Sequence, residues 1–223
     1  LTAGGAAAVT AKGGTLDIVA LSAGASSTLT ASGAVTLDSA TTAAGDLAIT
    51  STGAGITAAS IDAAGAATLA AQTAVIVADR LTGGGAVQLD VSGGTLDLGR
   101  LVAGKSATLR ASDAITLRSA MTMTGDLSLV STGANITAAS LMAAGDATLA
   151  ARTAIAVTNE LTSGGAARLD VSSGALELVS LVAGRSSTLT AAGQITLGHA
   201  TTSAGDLTVT STGAGIALTS IST

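Results

Sequence analysis

The dominant constraint on this chain is a repeat that never loses step. The stretch GDLAITSTGAGITAAS at residues 45–60 returns as GDLSLVSTGANITAAS at 125–140 and as GDLTVTSTGAGIALTS at 205–220, eighty residues on each time with no insertion or deletion. A shorter period lies beneath it. Written in twenties, the whole sequence aligns without a gap as eleven units and a remnant IST, and four units make one eighty-residue super-repeat. Strict periods of this length belong to arrays in which each unit buries its apolar face only against its neighbours. Residues 1–223 therefore read as one segment of a longer array, with super-repeats 1–80, 81–160 and 161–223.

The columns of this alignment predict strands. The ninth position runs from Val9 through Leu29, Ile49, Leu69, Leu89 and Leu109 to Val209 and is never polar. The seventh and eleventh positions are mostly small or aliphatic, while the eighth and tenth are often Thr, which is the alternation of a half-buried strand. A second apolar pair follows. Odd units place it at Leu16/Ile18, Ile56/Ala58, Leu96/Leu98 and Leu176/Leu178; even units place it one residue earlier, at Val35/Leu37, Val75/Val77, Ile115/Leu117 and Ile155/Val157. A slip of one residue would turn core side chains outward unless neighbouring loops absorb it. The first position forms a further column, Leu or Ile in most units but Thr41, Met121 and Thr201 in three. Two strong strands, a short one at positions one to three, and Gly-rich corners such as Gly83-Gly84-Gly85 predict a three-sided coil. Stacked in parallel at about 4.8 Å per coil, eleven coils make an all-β, right-handed parallel β-helix roughly 50 Å long.

Composition fits a narrow core and excludes several classes. The chain has no Phe, Tyr, Trp, Pro or Cys, and 10% of its residues are charged. A mean hydropathy of +0.65 argues against disorder. No apolar run is long enough for a membrane helix, and the aromatic girdles of a membrane barrel are missing. Net charge is −5, with nine scattered basic residues, so nucleic acid is not an expected partner. The absence of Cys excludes disulfides and thiolate chemistry.

Few residues are candidates for chemistry. Asp126 and Asp146 share the sixth position of adjacent units; a Ca²⁺ or acid–base role is conceivable there, but the expected reading is solvated Asp at a corner after Gly125 and Gly145, where Asp is favoured anyway. Asp90 and Arg110 share the tenth position and are expected to pair across the ladder. His199 is the sole histidine, and no Ser-His-Asp set or metal set assembles around it. Gly83–Gly85 lacks the following helix that a phosphate loop needs. Thr28/Thr30, Thr188/Thr190 and Thr208/Thr210 form a Thr-x-Thr array of the kind seen on ice-binding β-helices, interrupted by Gln88, Asp90, Arg110, Arg168 and Asp170. Thr is also simply a favourable exposed strand residue. No catalytic, cofactor-binding or metal residue is assigned, and no enzyme activity is expected.

The units, their pairing, and motifs such as SAGASSTLTASGAVTL, AAGDATLAARTAIAV and SAGDLTVTSTGAGI resemble the repeats of filamentous-haemagglutinin-type exoproteins, over essentially the whole chain. That resemblance implies a right-handed parallel β-helix in a long protein secreted across the outer membrane with an outer-membrane secretion partner. It also implies a place at the bacterial cell surface, as an adhesin or a stalk. Receptors or glycans on host or neighbouring cells would then be contacted by other parts of the chain. The Asn-rich corners and aromatics common in that family are missing here. The leading expectation is a rod that projects a functional end from the cell. The alternatives are a self-associating extracellular filament or biofilm-matrix component, joined laterally through outward Val130, Ile76 and Ala48 or end to end, and an ice-binding β-helix. Unblocked strand edges at both ends, and an opening at Leu1 without Met, lead to the expectation of further coils on both sides.

Overall fold

A computed structural model of the chain describes residues 1–222. Every regular element in it is a β-strand, and the strands form two parallel sheets, one of eleven strands and one of twelve. Each sheet is built from every second strand in chain order, so each coil adds one strand to both. This is a β-solenoid of about eleven coils with roughly twenty residues per turn, as the columns predict.

The eleven-stranded sheet is the regular one. Its strands are five residues long, such as Ala107–Ala111 and Leu127–Ser131, and centre on the ninth position. The register steps by twenty at every pairing, from Val9↔Leu29 through Leu89↔Leu109 to Leu189↔Val209. The ninth-position residues from Leu29 to Leu189 are fully buried, and Val9 and Val209, in the end coils, are partly covered. The inward seventh and eleventh positions flank them. Ser51, Ser131 and Ser211 at the eleventh use their hydroxyls to cap the carbonyls of Gly33, Asp113 and Gly193 at 2.6–2.8 Å, which satisfies polar groups that lie near the core.

The twelve-stranded sheet corrects the expectation of a separate third strand. Positions one to three do not start a new element; they continue the strand that carries the second apolar pair. In Val35–Thr42, the side chains of Val35, Leu37, Ala40 and Thr42 are buried, whereas Asp38 and Ser39 between them are not. Two successive residues off the core mark a bend at which the inward side switches parity. The backbone ladder to the neighbouring coils runs on through the bend, because hydrogen bonds between stacked coils lie along the rod and are indifferent to a fold across it.

The slip between odd and even units is absorbed in two different ways, and this explains the eighty-residue period. Corners that precede the second apolar pair alternate in length: four residues, 12–15, separate Ala11 from Leu16, and three, 32–34, separate Ala31 from Val35. In the second, sixth and tenth units the lost residue is regained at the next corner. Four residues, 43–46, link Thr42 to Leu47, where three, 24–26, link Ala23 to Ser27. The longer corner is closed by Thr42, Thr122 and Thr202, whose hydroxyls donate to the carbonyls of Gly45, Gly125 and Gly205 at 3.1, 2.6 and 3.2 Å. Gly45 and Gly205 there take φ of 88° and 102°. In the fourth and eighth units the residue is regained inside the bend. Ala74–Gly83 and Ala154–Ser163 are ten residues long, with three exposed residues in a row, Ala78–Asp79–Arg80 and Thr158–Asn159–Glu160. The register irregularities of this sheet all involve these two strands. Two remedies thus alternate every two coils, and the backbone repeats only after four.

One column reads differently as a result. Thr41, Met121 and Thr201 at the first position do not enter the core. Ala40, Ala120 and Ala200 do, paired with Leu21, Leu101 and Leu181. The slip has carried through the bend and turned the first position of those units outward.

Leu109→Asp places an unpaired carboxylate in the most buried column and is expected to cost at least about 3 kcal/mol. Amide exchange should rise in the strands of Leu89 and Leu129 as well, and unchanged exchange there would contradict coil-on-coil support. Gly45→Ala is expected to cost about 1–2 kcal/mol, because the residue must hold a left-handed backbone and its new methyl meets Ser26 Oγ. Gly13→Ala, with open space around its Cβ, should stay within about 0.5 kcal/mol; urea melts of the two variants make the comparison.

Candidate functional site

At six of the corners that precede the five-residue strands, a backbone N–H is met by a side chain from the coil below. Ser26 Oγ accepts from Asp46 N at 3.1 Å, and Asp46 Oδ1 accepts from Ala66 N at 2.7 Å. One super-repeat on, Ser106 Oγ accepts from Asp126 N at 3.4 Å, Asp126 Oδ1 from Asp146 N at 2.8 Å, and Asp146 Oδ1 from Ala166 N at 2.8 Å. Ser186 and Asp206 begin the series a third time at 3.2 Å. The stacked carboxylates of Asp126 and Asp146 are therefore rungs of a side-chain ladder. Each holds the coil above it through a charge-assisted hydrogen bond. They are not simply solvated, and they are committed to the scaffold. Among the described residues, no three His, Cys, Asp or Glu side chains gather at metal-binding distance.

The other candidates disperse. Asp90 and Arg110 are direct neighbours in register, but the ion pair among the described residues forms between Arg80 and Asp62, at 3.2 Å, with both side chains about half exposed. Pairing of solvated strand residues is worth only about 0–1 kcal/mol, so adjacency in register does not by itself impose an ion pair. His199 is exposed, and its Nδ1 lies 2.5 Å from Ser220 Oγ in the next coil, with which it is in register. The Thr array does line the outer face of the eleven-stranded sheet. Thr28 and Thr30 sit near one end and Thr188, Thr190, Thr208 and Thr210 at the other, with the charged residues of the middle coils between them. Ile76 is exposed, while Val130 and Ala48 are half-buried.

Besides a depression lined by Ile76, Asp97, Thr116 and Arg118, two kinds of surface depression remain. A shallow groove along the edge of the eleven-stranded sheet is lined by Thr50, Thr52, Gln72, Asp90 and Ser92, and it recurs eighty residues on with Val130, Thr132, Arg152, Asp170 and Ser172. It repeats with the corner that makes it, while the chemistry of its lining changes. The second depression lies on the outer side of the bent sheet, between Arg100, Met121, Met142 and Glu160. Its side chains do not recur: Arg100 stands where the other super-repeats have Ala20 and Ser180, and Met121 where they have Thr41 and Thr201. The sequence carried a signal for it, since all three methionines of the chain, Met121, Met123 and Met142, belong to adjacent coils.

A family model described as repeats of unknown function (DUF5649) matches residues 84–137 and again residues 104–163. The two matches begin one coil apart, so the same model fits when slid along the rod by twenty residues. The chain is in this respect similar to a repeat family, over its middle third. No curated protein and no solved structure matches it.

Asp126→Ala removes the acceptor for Asp146 N and should lower stability by about 1 kcal/mol, whereas Asp126→Asn, which keeps a side-chain oxygen there, should lose less. Chemical denaturation of the two variants, with and without added Ca²⁺, checks this. A stabilisation by Ca²⁺ that disappears with the carboxylate would reassign the pair to metal binding.

Proposed function

We propose that this chain is a rod segment of a secreted bacterial surface adhesin of the filamentous-haemagglutinin type, which holds a functional end away from the cell. The observation that carries this reading is the division of labour between inside and outside. Leu89 and Leu169 keep their place in the core column with Val9, while the outward neighbours Ala8, Gln88 and Arg168 share a place and no chemistry. What is held constant is stacking, which sets length and stiffness. Eleven strands at about 4.8 Å give roughly 50 Å of projection. In this reading, receptors or glycans on host or neighbouring cells are engaged by other parts of the chain, and export runs through an outer-membrane secretion partner.

Deleting residues 81–160 from the full-length protein tests it. Removal of one whole super-repeat joins like to like, so the rod should shorten by about 19 Å in electron micrographs while surface export and attachment persist. Saturable binding of the isolated segment to the target cells, at a strength that accounts for attachment, would move the function into the rod itself and overturn the stalk reading.

A further inference from the structure

In an array that repeats every eighty residues, the scaffold makes the same demand at equivalent places. An outward side chain that breaks the repeat is therefore not there for the fold. Outward side chains break the repeat along the whole rod, but the three methionines of the chain do so together. Met121 replaces Thr41 and Thr201, Met123 replaces Ala43 and Ser203, and Met142 replaces Asp62 and Ser222. Met121 and Met142 are adjacent on the outer face of the bent sheet, in register with each other and with Val102. Met123 and Met142 are 58% and 48% exposed, whereas Val102 is covered without belonging to the core. Apolar, flexible thioethers in water are costly for a soluble surface and well suited to contact with a partner.

The flanks of the patch are charged with opposite sign. One residue column beside the methionines reads Arg100, Ser119, Ser140, Glu160 in successive coils. Among the described residues neither Arg100 nor Glu160 has an ion-pair partner. The column spans three coil steps, about 14 Å, with Arg at one end and Glu at the other. This arrangement is complementary to itself only when turned end for end. A two-fold axis lying in the face, across the rod and between the coils of Met121 and Met142, sets each column against its own reverse. Arg100 then meets Glu160 of the second copy, Met121 meets Met142, and Val102 meets Thr162. Farther out, Arg80 meets Ser180 and Asp62 meets Thr201, so no like charges are opposed. In a parallel pairing, by contrast, Arg100 would face Arg100, and Glu160 would face Glu160.

We propose that the Met121–Met142 face is a docking surface for a second copy of this chain, which binds it antiparallel, with the methionines as the apolar anchor and two Arg100–Glu160 pairs as the lock on direction. The anchor is smaller than the roughly 800 Å² per partner of a standard interface. The rest of the face, brought alongside, supplies the remaining area. This does not depend on the stalk reading; rods of any use could pair in this way.

Sedimentation velocity over a concentration series is the test, with the 20.7 kDa chain expected to move towards twice that mass. The combined variant Met121→Thr, Met123→Ala, Met142→Asp installs only residues that the chain already carries at 41, 43 and 62, so the scaffold is known to accept them. It should weaken association by about tenfold or more. Arg100→Glu and Glu160→Arg should each weaken association by opposing like charges, and the two together should restore it. A wild-type chain that stays monomeric throughout would overturn the proposal. So would a methionine variant that associates as wild type does, as joining through open strand ends would produce, or a double charge exchange that fails to restore pairing.

Discussion

Everything in this molecule depends on backbone hydrogen bonds that run from one coil to the next along the rod. A parallel ladder between stacked coils requires each strand to find its copy one strand spacing away, and the eleven-stranded sheet meets that demand with an unbroken step of twenty residues. Because this sheet tolerates no slack, every irregularity is displaced elsewhere. The twelve-stranded sheet takes it up, at the Gly45 and Gly205 corners in some coils and in the long bends of Ala74–Gly83 and Ala154–Ser163 in others. The period of four coils is the shortest in which both remedies appear.

The same constraint shapes the chemistry of the core and the corners. Side chains stack on their equivalents at about 4.8 Å, so each inward column must be a size that packs on itself. Leu, Ile, Val and Ala do so without aromatics. Where corner carbonyls of adjacent coils come close, even a methyl group is too large: a Cβ on Gly94 or Gly174 would run into the backbone carbonyl of Thr73 or Thr153. In each super-repeat, some corner N–H groups that the ladder leaves over are met by Ser and Asp from the coil below. Polar side chains that look like candidates for catalysis are in this way used to hold the stack together.

The outer surface is under no such constraint, and that makes its departures informative. A side chain pointing into water from a solenoid contacts only its immediate neighbours and is free to change between super-repeats, as Ala8, Gln88 and Arg168 show. Other exposed apolar residues of the inner coils, Val19, Ile76 and Val179, are scattered singly along the rod. Three methionines, Arg100 and Glu160 gathered on neighbouring coils of one face are what a surface with a partner would carry.

The sequence by itself determined the parallel stack, the coil length, the ninth-position column and the two apolar pairs, because a period of two within a period of twenty leaves few other ways to bury Leu29, Leu109 and their equivalents. It also located the slip at Val35, Val75, Ile115 and Ile155. Only the tertiary structure decided where the slip is repaired. Whether Thr41 or Ala40 faces the core depends on how many residues the preceding bend consumes, and bend geometry is set by contacts with the coils above and below. The rungs of Asp126 and Asp146 were equally hidden, since a carboxylate bonded to the amide twenty residues on looks, in one dimension, like an ordinary polar corner. Met121 and Met142 stand twenty-one residues apart in the chain and side by side in the sheet. Stacking turns a distance along the sequence into a contact across one strand spacing, and the one-residue slip of the sixth unit turned Met121 outward to make it.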